Sequence, residues 1–188
     1  MGRGSLRAPP GHDRIDVLRD AFGRVHDDLP TTLDGLTPEQ VLWRPDADAN
    51  SVGWLVWHLS RVQDDHLAGV ATATGLMAEL AEQVWTARGW SARFALPYGE
   101  REIGYGHSPD QVGAFAVGDA TLLLGYHADV HARTLLVLDG LSGIDLDVVV
   151  DERWDPPVTA AVRLVSVVND ITQHLGQAAY VAGLLTRR

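Results

Sequence analysis

Apolar residues in this chain recur mainly at spacings of three and four, the signature of helices that bury one face. Ile15, Leu18, Phe22, Val25 and Leu29 predict an amphipathic first helix from about Arg14, ending before Pro30. Thr37-Pro38-Glu39-Gln40 has the form of a capping box with proline at the first helical position, opening a short turn through Leu42. Trp43-Arg44-Pro45 stops it, because a residue before proline avoids the α region. Asn50-Ser51 caps a second long helix, Val52 to about Ala71, with an inward stripe of Leu55, His58, Val62 and Asp65 and with Leu59 alongside. Trp54 and Trp57 widen its apolar face.

From Thr72 to His107 the period weakens under repeated glycines, and Trp85, Trp90, Phe94 and Tyr98 are expected to cover an open end of the bundle. Ser108-Pro109-Asp110-Gln111 is a second capping box, whose short helix breaks near Gly118. Asp119 caps a third long helix through about Leu138. Gly140 to Asp155 is a connector in which Val148-Val149-Val150 fits a brief strand. Asp155-Pro156-Pro157 is expected to open the last helix, whose apolar run extends from Val158 to Leu185. Four long helices of this kind predict an all-α four-helix bundle with a long irregular connection between helices two and three. Residues 1–13 are expected to be a disordered leader and 14–188 a single domain.

The last helix breaks its own pattern. Val167, Asp170, His174, Ala178, Val181 and Leu185 share one face, so a carboxylate and an imidazole stand one turn apart where apolar residues belong. At i and i+4 their Cβ atoms lie roughly 6 Å apart, a suitable grip for one ion. A buried charge is costly without a partner, and His58 on the inward stripe of helix two is the obvious one. His58, Asp170 and His174 would make an N, N, O ligand set with a fourth position open, the arrangement of catalytic rather than structural zinc. Zinc is the first expectation; nickel, iron and manganese also accept such ligands. The alternative is a buried Asp–His hydrogen bond with His58 satisfied elsewhere, and spacing alone leaves both open.

Other polar residues compete less well. His127 and His131 on helix three are also i, i+4, but their face is ambiguous, and a solvated or half-buried pair is expected. Asp64, Asp65 and His66 look ligand-like, yet Asp65 is two turns from His58, roughly 10 Å along the axis. His12, His26 and His107 carry no pattern. Arg61, one turn from His58, is a candidate for orienting an anionic substrate, with a surface salt bridge as the commoner fate of such a residue.

Composition narrows the chemistry. The 188 residues suit one domain, and 46% hydrophobic against 21% charged reads as globular. No stretch approaches the roughly 18 apolar residues of a membrane span. The first ten residues have no apolar h-region, so a cytoplasmic location is expected. The chain has no cysteine and no lysine, which excludes disulfides, a protein-borne thiol, Schiff-base chemistry and a P-loop lysine. A net charge of −10 argues against broad nucleic-acid binding. Six tryptophans promise a core rich in aromatic contacts.

Several segments together resemble a known family. Asn50-Ser51-Val52-Gly53-Trp54-Leu55-Val56-Trp57-His58-Leu59, preceded by Trp43-Arg44-Pro45, looks like the second-helix signature of the DinB-like superfamily. His174-Leu175-Gly176-Gln177 is similar to its fourth-helix His-x-Gly-Gln motif. Gly104-Tyr105-Gly106-His107-Ser108-Pro109 and Glu152-Arg153-Trp154-Asp155-Pro156-Pro157 resemble the actinobacterial branch named after mycothiol transferases. The likeness runs over roughly residues 14 to 186. It implies a four-helix bundle with a metal triad, one ligand matching His58 and two from helix four matching Asp170 and His174. Much of the family has His-x3-His where this chain has Asp170 and His174. The resemblance also implies homodimers and S-transfer or isomerisation with a mycothiol-type thiol. Gln177 and Arg61, by their position near the ligand set, are the expected substrate contacts.

That chemistry agrees with the composition. A protein without cysteine must borrow its nucleophile, and a coordinated thiol is deprotonated. The electrophile is expected to enter from the aromatic 72–107 side. Two other outcomes remain open on sequence: a metal-binding structural or stress protein without turnover, and a metal-dependent hydrolase.

Overall fold

The computed structural model describes residues 13–185; residues 1–12, nearly all of the expected leader, and 186–188 lie outside the described residues. The elements are α1 (Arg14–Leu33), α2 (Pro38–Leu42), α3 (Val52–Ala73), α4 (Ala78–Ala81), α5 (Val84–Ala87), α6 (Trp90–Phe94), α7 (Pro109–Gly113), α8 (Ala120–Gly140), β1 (Val149–Asp151), β2 (Val158–Thr159) and α9 (Ala160–Leu185). The long helices α1, α3, α8 and α9 form the bundle. α3 packs against α8 and α9, and so does α1, which leaves α1 and α3 on one diagonal. α3 and α9 run antiparallel: His58 meets the ring of His174, while His66, two turns on, meets Arg163, three turns before His174.

Local chemistry explains most boundaries. The Thr37 and Ser108 side chains each accept the N3 backbone N–H, and the Gln at N3 reaches back, so both expected capping boxes are present. Ser51 caps α3 through the N–H of Trp54, and Asp119 caps α8 through Thr121 and Leu122. α1 runs past the expected stop and holds Pro30 inside. Leu29 and Leu33 on either side of that proline are buried, so core packing outweighs the hydrogen bond a proline cannot give.

Nearly every residue of α3 from Val52 to Asp64 is buried, because α8, α9 and the 76–118 connection surround it. That connection is less irregular than expected, since it contains α4, α5 and α6. Trp85, Trp90 and Phe94 point inward on Tyr126 of α8, with ring centroids 5.1, 5.7 and 5.7 Å away, so they cover the α3–α8 flank.

The Val148–Val150 expectation holds as β1, which pairs antiparallel with β2. The last helix starts later than expected. Asp155, Pro156 and Pro157 lie between the strands, and α9 begins only at Ala160, whose N–H is taken by the Val148 carbonyl. The hairpin uses the donors that follow the prolines, so the helix opens after them.

Candidate metal centre

His58, Asp170 and His174 come together, each offering a ligand-competent atom, with these atoms all within 4.8 Å of one another. The expected convergence is therefore present, with one refinement. The core stripe of α9 is Leu164, Val167, Ile171, Leu175, Ala178 and Val181. Asp170 and His174 flank it, with side chains 36% and 19% exposed, on the edge that faces α3. His58 comes from the buried side, 5% exposed. The site is thus a half-open notch in the α3–α9 groove.

Each imidazole is held by one nitrogen. A carbonyl only accepts, so His58 Nδ1–H donates to the Ile103 carbonyl at 2.5 Å, leaving the Nε2 lone pair free. His174 Nδ1 donates to Gln177 Oε1 at 3.1 Å, which turns its Nε2 towards Asp170 Oδ2, 3.6 Å away. The two rings meet edge to face with centroids 4.7 Å apart. Trp54 stacks on His58 at 4.7 Å and 16°, fixing the ring plane.

The electrostatics separate the two rings. Burial pushes His58 down to about 4, against the pull of the Ile103 carbonyl, so it stays neutral. Burial also works against charge on His174, but the adjacent Asp170 carboxylate outweighs it and raises that imidazole. Burial would raise Asp170, yet the adjacent His174 imidazole holds it below its ordinary value. Asp170 Oδ1 is buried and has no hydrogen-bond donor among the described residues. A buried carboxylate oxygen without a partner is rare in folded proteins, and here it belongs to the group one would assign as an ion's oxygen ligand. The residues therefore fit a divalent cation: two neutral-capable nitrogens oriented from behind, and one carboxylate with a free oxygen.

The other candidates separate cleanly. Gln177 is beside the centre and also lines a groove of about 660 Å³ with Asn50, Leu55, Gly176, Tyr180 and Leu184. Arg61 has no place at the open face and is no surface salt bridge: it is fully buried and bonded to protein groups. Asp64 is buried too, accepting the N–H groups of Val84 and Trp85. Asp65 pairs with His66 at 3.1 Å and is not part of the His58, Asp170 and His174 group. The strap of residues 102–107 lies over His58 on the aromatic side, with the Ile103 carbonyl and Gly104 against the His58 ring.

Two histidines without sequence pattern matter. His107 lies against Trp57, Tyr98 and Trp54, paired with Glu102 at 2.9 Å, and is part of the strap behind His58. His26 stacks on His131 at 4.2 Å and lies 5.6 Å from His127. His127 is buried outright rather than solvated or half-buried, because α1 covers it; only His131 is half-buried as expected. Neither position had a local spacing that could have announced it.

A family model described as the DinB superfamily matches residues 21–178. Among solved structures, a crystal structure of a conserved protein from Enterococcus faecalis is similar over 95% of this chain and 100% of that one, at 28% identity and a TM-score of 0.81. No curated protein matches.

Proposed function

The chain belongs to the DinB superfamily, and from that premise we propose that it is a divalent-metal-dependent S-transferase or isomerase joining a mycothiol-type thiol to a small electrophile. The observation that carries this reading is the orphaned Asp170 oxygen between two imidazoles whose outer nitrogens are already held, in a protein with no cysteine of its own. His58, Asp170 and His174 would hold the ion, zinc first, with nickel, iron and manganese also suited to the set. A divalent ion there lowers the pKa of a bound thiol and so supplies the thiolate.

The chain's own groups do the rest. Ile103 and Gln177 keep one lone pair of each imidazole facing inward. The groove lined by Asn50, Leu55, Gln177 and Tyr180 has no charged side chain and adjoins His174, so it is the approach for the electrophile and makes Gln177 a substrate contact. In a transfer, a sulfur–carbon bond forms, the leaving group departs with its electron pair, and the thiol proton passes to solvent. The family resemblance further supports a homodimer, and exposed Val162 and Val165 on α9 supply apolar surface for a second copy.

The test is consumption of a panel of small electrophiles by metal-loaded protein, with and without mycothiol. We expect loss that needs both metal and thiol and disappears in His58→Ala. Turnover without thiol would make the protein a hydrolase. Failure of every electrophile, with metal still raising the melting temperature, would make it a structural metal protein.

A further inference from the structure

We infer that Arg61 is a positioning residue for His58, acting through the consecutive peptide carbonyls of Glu102 and Ile103. This rests on the reading of His58 as a ligand. Arg61 follows His58 by one turn of α3, and its Nε donates to the Glu102 carbonyl at 3.3 Å. The next carbonyl, Ile103, is the one that takes the His58 Nδ1–H. The strap is therefore pinned to α3 at two points one helical turn apart.

The guanidinium is itself anchored. Nη1 reaches Asp64 Oδ2 at 3.4 Å and the Tyr126 hydroxyl oxygen at 3.3 Å, Nη2 donates to Gln83 Oε1 at 3.0 Å, and the group lies 5.0 Å from the Trp85 ring centroid. Asp64 in turn accepts from Val84 N–H, Trp85 N–H and Tyr126 O–H at 2.7, 2.8 and 2.9 Å. Arg61 is thus tied to α3, α5 and α8 at once, and it passes that rigidity to the strap.

Gly104 sets how near the strap comes. It has φ +91°, and a Cβ there would meet His58 Nδ1 at 2.7 Å and the rings of Trp54 and Trp57 at 3.0 Å. Only glycine lets the Ile103 carbonyl approach. The consequence is a fixed tautomer: Nδ1 keeps the proton, and Nε2 presents its lone pair towards Asp170 and His174. The buried Arg61–Asp64 pair is weak evidence for stability, since replacing both partners of such a pair by apolar groups is often neutral or better, although losing one alone is costly. Its value here is geometric.

Two variants test this, Arg61→Met and Gly104→Ala, the second displacing the strap while the Arg61 side chain stays in place. The ¹⁵N shifts of His58 in chelated protein read the tautomer, and Co(II) titration with its d–d absorption reads ligand geometry, each at a temperature where the variant is folded. We expect the wild type to show a single Nδ1–H tautomer. Both variants should show mixed tautomers, an altered Co(II) spectrum and Co(II) binding weakened about 10–100-fold, as for other outer-shell losses. Arg61→Met with wild-type shifts and affinity, and only a lower melting temperature, would overturn the inference. If that variant does not fold, unchanged shifts and affinity in Gly104→Ala overturn it instead. A wild type that binds no Co(II) would sink the metal reading alone, because the His58 shifts would still decide the positioning.

Discussion

At Asp170 the fold sets a half-buried carboxylate against an imidazole that it draws towards protonation, while its other oxygen meets no donor. Burial alone would push His174 down, so the carboxylate is what reverses the direction. Asp170→Asn should therefore lower the His174 pKa in chelated protein, read by NMR titration, and weaken metal binding in the same variant. A His174 titration that does not move would show that the carboxylate is not its controlling neighbour. His58→Ala should remove the metal outright by elemental analysis, whereas replacing His127 and His131 should leave metal content unchanged. Metal lost from that second variant would place the ion between α1 and α8. The three candidate ligands were legible because charge on an otherwise apolar helical pattern is conspicuous. Arg61, Gly104 and His107 were not, because their roles lie in contacts between segments some forty residues apart.

On the scale of elements, α9 contains a testable excess of glycine. Gly176 lies inside the helix, and a Cβ there would meet nothing within 4 Å. Gly176→Ala should therefore stabilise the protein by about 0.5–1 kcal/mol, the helix-propensity difference, which is about 1–4 °C in melting temperature for a chain of this size. A melting temperature that falls would mean the position touches something that this conformation does not show. Four helices, four caps and the β1 strand were readable from local spacing, since periodicity and caps act within a few residues. The stop at Pro30 and the start at Asp155-Pro156-Pro157 were misplaced because tertiary packing and the β1–β2 hairpin decide them. Likewise the His26–His131 stack exists only where α1 meets α8.

For the whole molecule, pH separates the metal from everything else that titrates. Burial lowers His127 to about 3 and His131 to about 4, below the ordinary value near 6.5. The unfolded chain takes those protons first, so their contribution to stability is complete above about pH 6.5 and is lost as pH falls towards their folded values. That loss belongs to the bundle and should be present with or without metal. An ion at His58, Asp170 and His174 adds a second dependence, because binding needs both imidazoles neutral. His174 is raised, so proton competition should begin above the ordinary imidazole value, while His58, at about 4, joins only in acid. Each proton that competes weakens binding about tenfold per pH unit, or about 1.4 kcal/mol of metal-linked stability. Melting temperature measured from pH 8 to pH 4, with and without chelator, should give two falling curves. Their separation should be widest at high pH and should close as His174 protonates. Curves that coincide throughout would mean that no ion is held, leaving a half-buried Asp–His pair in the α3–α9 groove.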